Sequence, residues 1–85
     1  EMKEYRIVVT NHFKKDFGNL DSQIQKRIIN AIQKLKQNPW LSEKTMAFET
    51  GEYRYRVGNW RIRYDISGEE VVLLKVRHRK EIYRR

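Results

Sequence analysis

Residues 51–66, GEYRYRVGNWRIRYDI, decide the fold. Tyr53, Tyr55 and Val57 alternate with Arg54 and Arg56, and Trp60, Ile62, Tyr64 and Ile66 alternate with Arg61, Arg63 and Asp65. A period of two marks strands whose two faces meet different surroundings. Gly58-Asn59 between the runs reads as a two-residue hairpin turn, because both residues tolerate the positive φ that such turns demand. That turn sets the register, with Val57 opposite Trp60, Arg56 opposite Arg61, Tyr55 opposite Ile62, Arg54 opposite Arg63 and Tyr53 opposite Tyr64. Arg54, Arg56, Arg61 and Arg63 then share one face, and the aromatic and aliphatic residues share the other. Like charges placed directly opposite each other destabilise a sheet, so folding alone gives no reason for this pattern and a polyanionic partner does. A loop one residue longer would slip the register and disperse the cluster.

Working outward, Ser67-Gly68-Glu69 turns the chain again, and Val71 to Val76 makes a near-continuous apolar strand expected at the sheet centre. Its end delivers Lys75, Arg77, His78, Arg79 and Lys80 beside the same sheet, in a basic tail that holds Ile82 and Tyr83. Upstream, KEYRIVV at 3–9 suggests a first strand. Thr10 or Asn11 can cap a short helix containing Phe13, Lys14, Lys15 and Phe17 that closes near Gly18-Asn19. Asp21 or Ser22 can cap a longer helix on which Ile24, Ile28, Ala31, Ile32 and Leu35 recur at helical spacing, ended by Asn38-Pro39. Residues 40–50 read as a loop entering the sheet. The expected class is α+β: an N-terminal strand, a two-helix hairpin, then an antiparallel three-strand meander, with the helices on one sheet face and the arginines on the other.

The chain has 85 residues, one domain over 1–85, and Leu, Ile, Val and Phe make up about a quarter of it, enough for a small core. There is no Cys, which removes disulfide scaffolds and thiolate metal sites. No apolar run approaches the roughly 18 to 20 residues of a membrane span, and the basic start lacks an apolar signal core, so a soluble protein with no membrane partner is expected. Net charge is +8, and eight of the ten arginines follow Gly51 while seven of the nine lysines precede it. Lysine on a solvated helix serves solubility, whereas the planar fork of Arg suits bidentate phosphate contact and base stacking. The second half thus reads as a phosphate-binding surface.

No Gly-rich phosphate loop, metal-ligand spacing or nucleophile motif is present, so no metal or cofactor is expected. An arginine surface with a Tyr and a His can support metal-free RNA cleavage, in which the substrate's own 2'-OH attacks the adjacent phosphorus. Arg holds the phosphate in line and offsets the charge growing on it, and a Tyr ring can stack on an unpaired base. His78 is the titratable group in the basic tail; neighbouring cations favour its neutral form, which strengthens the reading as a base only modestly, and a lone His is commonly structural. His12, on the first helix without such company, reads as structural.

Taken together, the order of elements, the stretch at 51–66 and VRHRKEIY at 76–83 resemble the RelE/ParE toxin superfamily of toxin-antitoxin systems, and within it the RelE branch. The resemblance covers essentially the whole chain. It implies a cytoplasmic endoribonuclease that cuts mRNA in the ribosomal A site, next to ribosomal RNA, leaving a 2',3'-cyclic phosphate and a 5'-OH, and that is neutralised by a cognate acidic antitoxin. It also implies that Arg61 and Arg77 are the phosphate-contacting and transition-state arginines, that Tyr83 stacks on or orients the substrate, and that Arg54 and Arg56 are basic strand positions. Arg63, Arg79, Lys80, Lys14 and Lys15 complete the expected RNA contacts. The chain departs from the pattern at Arg56, where relatives place a Lys or Glu able to act as base, because Arg stays protonated. Either His78 takes the proton or the arginines only orient the 2'-OH. The alternatives are a ParE-like inhibitor of DNA gyrase that catalyses nothing, and an RNA-binding relative whose catalysis has decayed.

Overall fold

The computed structural model describes residues 4–41, 43–44 and 53–82. Strand β1 (Arg6–Val9) leads into helix α1 (Asn11–Gly18) and helix α2 (Ser22–Gln37). A 3-10 turn (Pro39–Leu41) and a two-residue strand β2 (Glu43–Lys44) follow. The meander comprises β3 (Tyr53–Val57), β4 (Trp60–Ser67) and β5 (Glu70–His78), and a short helix α3 (Arg79–Ile82) closes the described chain. The sheet order is β1-β5-β4-β3-β2.

The hairpin has the register expected from its turn, with all five pairs from Tyr53↔Tyr64 to Val57↔Trp60. Gly58 takes φ +60°, the left-handed conformation the turn requires. Both helix caps fall on residues chosen from the sequence: the Thr10 side chain accepts from Phe13 N–H at 3.2 Å and Asp21 from Ile24 N–H at 3.0 Å. Ile28, Ala31 and Leu35 of α2 join Phe13 of α1 over Ile62, Tyr64, Val71, Leu73 and Val76 of the sheet, forming the core. The Tyr64 hydroxyl donates to the Pro39 carbonyl at 2.6 Å, tying the end of α2 to the middle of the sheet.

Three features depart from the sequence expectation. First, β1 runs parallel to β5, pairing Arg6–Val9 with Glu70–Leu73, so the sheet is mixed rather than wholly antiparallel. Second, β4 and not β5 is the middle strand, because β2 adds to the far side of β3 through Glu43↔Arg54 and Lys44↔Tyr53. Third, the pairing of β4 with β5 shifts between Arg63↔Lys75 and Tyr64↔Leu73, which leaves Leu74 as an extra residue in β5. Side chains alternate faces along a strand, so this bulge inverts the phase of everything beyond it. Val71 and Leu73 before the bulge and Val76 after it all reach the core, although strict alternation would separate them.

Where β1 ends, α1 takes over the free edge of β5. Thr10 N–H and Oγ1 both donate to the Leu73 carbonyl, at 3.3 and 2.7 Å, beside the bulge. Two residues past Leu74, Asp16 Oδ2 accepts the Val76 N–H at 3.2 Å. The edge amide that a sixth strand would have used is thereby satisfied by a helix side chain.

Candidate functional site

The face of the sheet opposite the core carries two transverse rows of cations. Cross-strand pairing sets Arg56, Arg61 and Arg77 in one row and Arg54, Arg63 and Lys75 in the next. The hairpin turn aligns the first two members of each row, and the Leu74 bulge brings Arg77 and Lys75 onto the same face. Without that extra residue Arg77 would point toward the helices.

The middle members are the least accessible. Arg61 is only 6% exposed and Arg63 4%, whereas Arg56 is exposed and Arg54, Lys75 and Arg77 are half-buried. One terminal nitrogen of Arg61 donates to the carbonyls of Gly58 and Trp60, at 3.2 and 3.1 Å, curling the side chain toward the turn. Its Nε is buried and meets no acceptor among the described residues. Among the described residues no carboxylate pairs with Arg61, so its buried charge is costly unless an anion arrives.

Arg77 is held differently. Its Nε donates to Asp16 Oδ2 at 3.1 Å, and a terminal nitrogen lies 2.9 Å from His12 Nε2. Both partners come from α1, at the edge of the sheet, and the sequence reading assigned neither to the site. Asp16 forms an ion pair with Arg77, a member of the first row.

The remaining expected residues are not gathered with the rows. His78 pairs with Trp60 on the opposite face, its ring edge-on to the indole with centroids 5.3 Å apart, and its Nδ1 accepts from Lys80 N–H at 3.2 Å. The sheet therefore stands between His78 and the Arg61–Arg77 pair. Arg79 and Lys80 are exposed at the start of α3, and Lys14 and Lys15 are exposed on α1. Tyr83 lies outside the described residues. On the helix side, Arg27, Asn30 and Lys34 of α2 with Tyr55, Arg56 and Val57 of β3 line an open cleft of about 250 Å³. The Arg27 guanidinium reaches so close to Gly58 that a Cβ there would meet its terminal nitrogen at 2.6 Å.

Residues 7–83 match the family model of the ParE toxin of the type II toxin-antitoxin system parDE. The chain belongs to the ParE toxin family. Toxin RelE3 of Methanocaldococcus jannaschii is 29% identical over 83 residues, covering 92% of this chain and 94% of that relative. The RelB–RelE antitoxin-toxin complex of Methanococcus jannaschii contains a chain that is 31% identical with TM-score 0.71, over 89% of this chain and 94% of that one. A chain of the RelBE2 toxin-antitoxin complex of Mycobacterium tuberculosis shares the fold with TM-score 0.81 at 24% identity, over 89% and 99%. The fold of this family member is accordingly RelE-like, and among its described residues no helix is long and apolar enough to cross a membrane.

Proposed function

We propose that this toxin-family chain is a metal-independent endoribonuclease that cleaves mRNA at the ribosome in the cytoplasm. The observation that carries the reading is the pair of cation rows Arg56–Arg61–Arg77 and Arg54–Arg63–Lys75 on the sheet face opposite the core. Such an array suits a chain of phosphates, and its direct like-charge pairs are relieved by one. In the cleavage step the 2'-oxygen bonds to the neighbouring phosphorus, the bond from phosphorus to the 5'-oxygen breaks, and a proton moves from the first oxygen to the second. The products are a 2',3'-cyclic phosphate and a 5'-OH. Arg61 and Arg77 hold the phosphate in line and offset the charge developing on its oxygens. Arg54, Arg56, Arg63 and Lys75 follow the flanking phosphates, with Arg79, Lys80, Lys14 and Lys15 at the margins near ribosomal RNA. Tyr83 orients a base.

Arg56 cannot accept the 2'-proton, and His78 lies across the sheet, so the arginines act by orienting the 2'-OH and stabilising the pentacoordinate phosphorus. A cognate antitoxin neutralises the toxin, as complexes of the related RelE chains with RelB suggest, and a surface of net charge +8 suits an acidic one. Induced expression followed by primer extension on cellular mRNA tests the activity. Cuts phased with codons are expected. Intact mRNA with relaxed or broken DNA would replace this reading with the gyrase inhibitor that other members of the superfamily provide.

A further inference from the structure

Two side chains one turn apart on α1 hold Arg77. Asp16 Oδ2 accepts from both Arg77 Nε, at 3.1 Å, and Val76 N–H, at 3.2 Å, and its side chain is only 12% exposed. His12 Nε2 lies 2.9 Å from the terminal nitrogen of the same guanidinium and 3.6 Å from Asp16 Oδ2, with 58% of its side chain exposed. A guanidinium can only donate, so the contact places His12 Nε2 as the acceptor, a role that a ring with its proton on Nδ1 can fill. A protonated ring would have no lone pair for Arg77 and would set cation against cation. It would also compete for Asp16 Oδ2, the oxygen that Arg77 uses. Among the described residues, the charged groups that meet the ring are Arg77 from β5 and Asp16 from its own helix.

We propose that His12 and Asp16 are positioning residues for Arg77, and that the guanidinium is held for phosphate only while His12 is neutral. The inference rests on the ribonuclease reading for its catalytic consequence, although the coupling of His12 to Arg77 does not. Asp16 fixes Nε and so the plane of the guanidinium. His12 fixes one terminal nitrogen, which leaves the other directed at substrate. Acidification converts His12 from an acceptor into a rival cation, and Arg77 loses its second anchor.

Cleavage of ribosome-bound mRNA by the purified protein, followed from about pH 5 to pH 8, tests this in wild type, His12→Gln and Asp16→Asn. Gln offers Arg77 an acceptor oxygen but does not titrate, and Asn keeps an acceptor for Val76 N–H without the charge. Wild-type kcat should fall on the acid side with KM little changed, and the His12→Gln profile should lack that limb. Asp16→Asn should lower kcat by about 10- to 100-fold across the range, the scale of one charge-assisted hydrogen bond. An acid limb shared by wild type and His12→Gln, or unchanged kcat in Asp16→Asn, overturns the proposal. The Nε–H proton resonance of Arg77 in the free protein supplies a readout independent of cleavage. It should move on acidification in wild type and not in His12→Gln. If it does so in a protein that cuts no RNA, the ribonuclease reading fails and the coupling stands; a wild-type resonance indifferent to pH overturns the coupling itself.

Discussion

Arg61→Met should make the protein more stable and less active. Arg61 is 6% exposed, sits directly between Arg56 and Arg77 in register, and among the described residues donates to the carbonyl oxygens of Gly58 and Trp60. Removing its charge ends a desolvation penalty of several kcal/mol. Repulsion between Arg61 and the exposed Arg56, at an effective dielectric near 20 and screened by solvent, adds roughly 1 kcal/mol or less. The charge of Arg77 is largely offset by Asp16 and adds little. Against these gains stand the two charge-assisted hydrogen bonds, roughly 1.5 to 3 kcal/mol each. Met retains most of the packing of the Arg stem. These terms are of similar size, and replacement of buried ionic groups by apolar ones of similar volume, which is neutral or stabilising by about 1 to 4 kcal/mol in other proteins, sets the expected gain at about 1 to 3 kcal/mol. For a chain of this length that corresponds to a rise in Tm of about 5 to 20 °C. Urea titration monitored by circular dichroism, beside a cleavage assay, measures both halves of the statement. Activity should drop by more than about tenfold. A variant less stable than wild type by about 1 kcal/mol would refute the view that Arg61 is held at a cost to folding.

Three further outcomes are expected. Gly58→Ala should destabilise by about 1 to 2 kcal/mol in denaturant titration, because φ is +60° there and the added carbon displaces the Arg27 guanidinium. Tyr64→Phe should lose about 1 to 3 kcal/mol by the same measurement, since it strands the Pro39 carbonyl now bonded at 2.6 Å by a fully buried hydroxyl. Binding of single-stranded RNA, followed by fluorescence anisotropy, should weaken with salt at a log–log slope of about −3 to −4 if four to six of the row cations meet phosphates; a slope near zero would take RNA off this face.

Most of the fold was written in local signals. The hairpin register follows from Gly58-Asn59 alone, and the caps at Thr10 and Asp21 follow from side chains that can satisfy the first amides of a helix. The parallel seat of β1 against β5 was not legible, because Arg6–Val9 reads the same beside either edge of the meander. Nor was β2, where two residues are too few for any periodicity.

The candidate site divides along the same line. Arg54, Arg56, Arg61 and Arg63 meet through contacts made within a single hairpin, so counting residues back from the turn is enough to find them. Arg77 joins them only because Leu74 is an extra residue in β5, and nothing in the apolar run from Val71 to Val76 marks which position bulges. The same bulge decides the fate of His78: one residue on from Arg77, it must face the other way, which is why a tail that looked like one cluster is split by the sheet. His12 and Asp16 stand 65 and 61 residues from Arg77 in sequence and meet it because α1 replaces β1 along the edge of β5. Their spacing of four on a short helix is compatible with any solvated face. What sets them apart is the edge amide of Val76, which needs an acceptor once β1 has ended. Asp16 meets that structural need and, with the same oxygen, fixes Arg77. A residue that completes the sheet thus also orients the cationic row, and stability and site geometry pass through one carboxylate.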